Sequence, residues 1–146
     1  MKKYIQRIIP FMLLVLVFSC TPDDNDAATI TEFDKDISGS WHIVSIIRNG
    51  EDITNVINAV DFRVTFKEDH TYDFQNYIPF AVSEVGNWQL DDPKYPFNIS
   101  FKSNIGEDVQ IQMGYPIVDG KRHMELTFSP GCSKNKYVYT LEKVSE

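Results

Sequence analysis

Cysteine is almost missing from this sequence. Cys20 and Cys132 are the only two, which excludes the disulfide framework that staples many small secreted domains. Histidine is as scarce: His42, His70 and His123 stand at no zinc-like spacing from one another or from a cysteine, so no metal site is expected. There is no nucleophile-elbow motif, and no pair of carboxylates is singled out by its surroundings. Neither an enzymatic role nor a cofactor is expected. Positive charge is in short supply, with 14 Lys and Arg against 21 Asp and Glu and a formal charge of −7. Phosphate backbones repel such a chain, so nucleic acid is excluded as a partner. Long apolar runs are lacking too. The longest, Ile8 to Phe18, is broken by Pro10 and falls well short of the roughly 20 residues that span a bilayer. Beyond it, no segment carries a helical apolar stripe of useful length. At most one or two helical turns are expected, near Thr31 to Asp36 and Ile53 to Val60.

What the N-terminus does have is a basic start, Lys2, Lys3 and Arg7, then the short apolar run and the small residue Ser19. This is the layout of an export signal. The string Val17-Phe18-Ser19-Cys20 resembles the lipobox of bacterial lipoproteins. That resemblance implies that residues 1–19 are removed and that Cys20 becomes a lipidated N-terminus, making the membrane a partner through its acyl chains. The alternative is an ordinary signal peptide cut beside a cysteine. The mature chain would carry eleven basic groups (14 less Lys2, Lys3 and Arg7) against 21 acidic, a formal charge of −10. Residues 20–36 open with Asp23, Asp24 and Asp26 among small residues and read as a flexible acidic tether. The acidic cluster resembles the surface-export signal of lipoproteins from Bacteroidetes-type bacteria, which implies an outer-membrane lipoprotein facing the cell exterior. A merely soluble spacer is the alternative.

From Ile37 onward large residues recur at every second position, the signature of half-buried strands. Trp41, Ile43 and Ile47 begin the series; Phe62, Val64 and Phe66 follow, then Tyr72 and Phe74, then Trp88 and Leu90. Phe97, Ile99 and Phe101 come next, followed by Val109, Ile111 and Met113, by Met124, Leu126 and Phe128, and by Tyr137, Tyr139 and Leu141. Eight short strands with short links predict an all-β, antiparallel up-and-down barrel over residues 37–146, whose closure removes exposed sheet edges. An open β-sandwich is the alternative.

Gly39-Ser40-Trp41, before the first strand, resembles the lipocalin Gly-x-Trp signature, and Gly86-Asn87-Trp88 repeats it before the fourth. The chain resembles the lipocalin-like, calycin-type domains of bacterial lipoproteins, many of undefined function. The resemblance implies that Trp41 plugs the closed end, with Gly39 and Trp88 as further structural residues of that floor. The chain is shorter than familiar lipocalins and has neither their disulfide nor their long helix.

With Trp41 at the floor, the long links 49–61, 76–84, 103–107 and 130–135 gather at the open mouth, where recognition is usually placed. Ile47, Phe62, Phe101, Phe128 and Tyr137 are expected to face inward there, with Tyr77 and Phe80 overhead. One functional expectation is that these residues bind a small apolar or aromatic-stacking ligand. The other follows from the narrowness of an eight-stranded barrel, which side chains can fill completely. In that case the domain is a structural or interaction module for an envelope protein, an inhibitor target or a glycan, using Tyr77, Phe80 and Tyr115 to Val118. Cys132, in the turn-like segment Ser129 to Asn135, has only Lys134 and Lys136 nearby and reads as inert.

Overall fold

The computed structural model describes residues 31–106 and 108–145. The expected export signal, Cys20 and the first part of the expected tether lie outside the described residues. Residues 32–146 form one compact unit.

Among the described residues ten strands follow one another: β1 Gly39–Arg48, β2 Glu51–Asp52, β3 Arg63–Phe66, β4 Thr71–Gln75, β5 Gly86–Leu90, β6 Asn98–Ser103, β7 Asp108–Gly114, β8 Ile117–Val118, β9 Lys121–Phe128 and β10 Tyr137–Lys143. Neighbours pair in the order β10-β1-β3-β4-β5-β6-β7-β9, and β9 pairs back onto β10. Every pairing is antiparallel. The result is the expected closed eight-stranded barrel. The two-residue strands β2 and β8 are appendages on β1 and β9.

The alternation read from the sequence is the alternation of burial. β5 runs buried, exposed, buried, exposed, buried from Gly86 to Leu90, and β10 buries Tyr137, Tyr139 and Leu141. Two departures have local causes. In β1 the pairing to β10 slips between Ile43 and Ser45, so that Val44 is an extra, exposed residue. A one-residue bulge reverses the phase of everything after it. Ile46 therefore enters the core opposite Tyr139, and Ile47, expected inward, is half-buried on the outer face. Phe97 lies just before β6 and is 71% exposed, because Asp91 Oδ1 accepts both the Phe97 and Asn98 N–H groups and starts the strand one residue later.

Neither expected helical segment forms a helix. Around Ile53 there is one turn, in which the Ile57 N–H reaches the Ile53 carbonyl at 3.2 Å. Lys35 and Asp36, assigned by sequence to the tether, bond to the barrel: Lys35 N–H donates to the Pro93 carbonyl at 2.6 Å, and Tyr115 Oη to the Asp36 carbonyl at 3.2 Å. Ile37 next to them is fully buried.

Candidate functional site: the barrel mouth

Both tryptophans hold the floor. Trp41 is fully buried, its Nε1 donating to the Ile37 carbonyl at 2.8 Å. Trp88 is 7% exposed; its Nε1 reaches the Lys67 carbonyl at 3.3 Å, and its ring meets Phe66 and His70 edge-on at 5.6 and 4.8 Å. Each indole N–H thus finds a backbone acceptor, which a buried tryptophan requires. Gly39, with φ at +119°, leaves the space that the Lys143 side chain crosses.

At the opposite end, the 76–85 loop between β4 and β5 turns into the barrel. Phe80 is the hub. Its ring lies 5.4 Å from Phe62, 5.5 Å from Phe74, 5.6 Å from Phe128, 6.0 Å from Phe101 and 6.2 Å from Tyr139. Phe128 packs in turn on Tyr137 at 6.0 Å and on Tyr139 at 4.9 Å. Two tyrosines of the barrel wall hold the loop from below: Tyr139 Oη donates to the Pro79 carbonyl and Tyr72 Oη to that of Glu84.

Of the residues expected at the mouth, Phe62, Phe80, Phe101, Phe128 and Tyr137 come together and Ile47 does not. Tyr77 is 83% exposed at the tip of the loop, away from the cluster. Phe74 and Tyr139 also belong to the cluster. The alternation had placed both inward, but nothing in it says how far along the barrel each one sits.

The rim above is tied together by hydrogen bonds between loops. Asn76 Nδ2 donates to the Asp61 carbonyl, and Asn104 N–H to that of Val85, both at 2.9 Å. Asn49 and Lys136 exchange two bonds of 2.9 Å, and Arg48 reaches Asn135 Oδ1 at 3.0 Å while lying over the Tyr137 ring. From this frame Val56, Val60, Tyr77 and Ile105 project, each at least 66% exposed.

Openings also lie elsewhere among the described residues. A groove of about 880 Å³ runs across the floor end, lined among others by Asp36, Lys67, Lys121, Arg122, Glu142 and Lys143. Sequence reading did not find it, since its walls are the ends of four separated segments. Several of its charges are partnered: Lys67 pairs with Asp73, Lys121 pairs with Glu142 and holds that carboxylate below its usual range, and Arg122 stacks over Tyr115. A slot of about 220 Å³ opens in the wall between β7 and β9. Among the described residues no three of His, Cys, Asp and Glu are grouped to hold a metal ion. Cys132 is exposed in the 129–136 loop.

Residues 19–142 match a family described as Domain of unknown function (DUF5004). The chain belongs to that family. No curated protein and no solved structure matches it. The DUF5004 match runs from the residue before Cys20 into β10, so it takes in the whole barrel except the last residue of β10.

Burial, with a smaller contribution from the charge of Tyr137, raises the Tyr139 phenol above its ordinary value in the DUF5004 barrel. The folded state therefore holds this proton more tightly than the unfolded chain does. The stabilisation is complete below pH about 10 and is lost as pH rises toward the folded pKa. Tyr139→Phe is expected to reduce stability at pH 7 by about 1 kcal/mol, the worth of one hydrogen bond, and to flatten the fall in stability above pH about 10. Urea melts across that range check it; equal slopes in the two proteins would contradict it.

Proposed function

We propose that this DUF5004 chain is a lipid-anchored, lipocalin-like interaction module of the cell envelope, without catalytic activity, whose filled barrel holds a rim of loops toward an envelope protein or a glycan. The observation that carries the reading is Phe80, which occupies the mouth with five aromatic neighbours. A mouth packed in this way has the character of a core, and the groups left for recognition are the exposed rim residues Val56, Val60, Tyr77 and Ile105. The Gly-Ser-Trp opening of β1, with Trp41 buried at the floor, supports the lipocalin-like reading. Binding of a small apolar ligand is the competing reading, and it requires Phe80 to leave its neighbours.

Titrating the chain with anilinonaphthalene sulfonate separates the two. An interaction module leaves the emission of the probe unchanged. Saturable enhancement by the wild-type chain, with quenching of Trp41 or Trp88, would favour an accessible pocket and defeat the filled-barrel reading.

The anchoring reading has its own test. In cells fed labelled palmitate, the wild-type chain is expected to take up label and to partition into Triton X-114, while Cys20→Ala does neither. A mature N-terminus at any residue other than Cys20 would contradict it. Protease treatment of intact cells is expected to remove the domain, as placement on the outer face of the outer membrane demands.

A further inference from the structure

The ladder between β7 and β9 covers only Gln112–Gly114, paired with Thr127, Leu126 and Glu125, although β7 begins at Asp108 and β9 runs to Phe128. Continued toward the mouth, the register would set Ile111 against Phe128, Gln110 against Ser129 and Val109 against Pro130. The strands part instead, and the 220 Å³ slot occupies the gap, lined by Ala81, Val109, Ile111, Phe128, Ser129 and Pro130 among others.

The direction of the β7 backbone in the slot follows from its other edge. Met113 N–H donates to the Phe97 carbonyl on the β6 side. In an antiparallel strand the N–H and C=O of one residue point the same way and those of the next point the opposite way. Met113, Ile111 and Val109 therefore turn their backbone to β6, and Gln112 and Gln110 turn theirs toward β9. Gln112 meets Thr127 there; Gln110 faces the slot.

We propose that an extended segment of a partner polypeptide adds to β7 in this slot, exchanging two backbone hydrogen bonds with Gln110 and lodging one aliphatic side chain between Ile111 and Phe128. The slot is below the roughly 300 Å³ at which pockets for drug-sized ligands begin, and its scale suits one anchored residue. Strand addition of this kind takes its affinity from the main chain and its selectivity from the side-chain pocket. The net charge of −7, with exposed Asp108 beside the open end, favours a segment whose apolar residue is flanked by Lys. The site is separate from the exposed tips of the rim, so its failure leaves the interaction-module reading standing.

The test uses the ¹⁵N-labelled full-length chain in non-ionic detergent and a set of acetyl-Lys-Thr-Xaa-Thr-Lys amides with Val, Leu, Ile or Phe at the centre. At millimolar peptide, shifts are expected at Gln110, Ile111 and Ser129, and exchange of the Gln110 amide is expected to slow by roughly tenfold or more as it gains a partner. Gln110 stands opposite Ser100 in the β6 register but turns its N–H away from β6, so Gln110→Pro removes that donor without breaking a β6–β7 hydrogen bond, and the barrel stays folded while the peptide effects disappear. Ala81→Leu fills the slot without touching the backbone and is expected to weaken the response by roughly tenfold; it decides the matter should the proline variant unfold. Shifts confined to Tyr77 and Ile105, no response at any peptide, or an unchanged response in folded Gln110→Pro would overturn the proposal.

Discussion

Replacing Phe80 with alanine is expected to cost about 3–5 kcal/mol of folding free energy, the range for truncating a large buried aromatic. It should also turn a barrel that excludes anilinonaphthalene sulfonate into one that binds it. The two effects have one origin. Phe80 is 7% exposed and touches Phe62, Phe74, Phe101, Phe128 and Tyr139, residues from five strands or their ends that cannot all move to close the void. The loop that carries it stays tethered by Tyr72 and Tyr139, so the space remains instead of collapsing. Tyr77→Ala, three residues away and exposed, should stay within about 0.5 kcal/mol of wild type, as surface changes usually do. Urea denaturation with a parallel probe titration reads both. A Phe80→Ala chain as stable as Tyr77→Ala would show that the ring is not packed in the core.

Gly86→Ala is expected to be the most damaging single-methyl change in the chain. A Cβ built there stands 2.0 Å from the Lys102 carbonyl oxygen and 2.8 Å from Ser103 Cα. These are backbone atoms of β6, so no side chain can turn aside to make room. β5 would have to leave β6 where Gly86 pairs with Ser103, and on its other side β5 is joined to β4 by only two pairs, Thr71 with Asn87 and Tyr72 with Gly86. Overpacking in a tight core typically costs 1–3 kcal/mol; with a backbone clash this short against β6 and only the two-pair β4–β5 seam on the other side, a loss of about 3 kcal/mol or more is expected. Gly131→Ala makes the control. Its φ is +76° and nothing lies within 4 Å, so its cost is that of the left-handed backbone alone, roughly 1–2 kcal/mol. Equal losses at the two glycines would mean that β5 and β6 approach less closely than described.

The strands were legible because burial on one face only writes a period of two into the sequence. All eight longer strands fall where the alternation placed them, and closure follows from β1 meeting β10. The bulge at Val44 was not legible, since Ile46 and Ile47 are equally apolar and either could face inward. The difference is settled by pairing with Tyr139, a partner some ninety positions away. The mouth was legible in composition but not in depth. Phe80 and Tyr77 belong to one polar-flanked loop, and only the tertiary bonds from Tyr72 and Tyr139 decide which ring goes in. Both Gly-x-Trp tryptophans are buried at the end of the barrel away from the 76–85 loop, though the reason for the glycine is more specific than a turn. At the second copy the glycine is required by the approach of β6, which no local pattern encodes. The floor groove and the β7–β9 slot left no signal, because each is made by ends of strands that are distant in sequence.

The filled barrel itself is most directly tested by nuclear Overhauser effects from a selectively labelled Phe80 ring in the native chain. Strong cross-peaks to the rings of Phe62, Phe128 and Tyr139, together with β1–β10 contacts between Ile46 and Tyr139, are the predicted result. A Phe80 ring that shows none of these and is broadened by a soluble paramagnetic agent would place it in water and contradict the account.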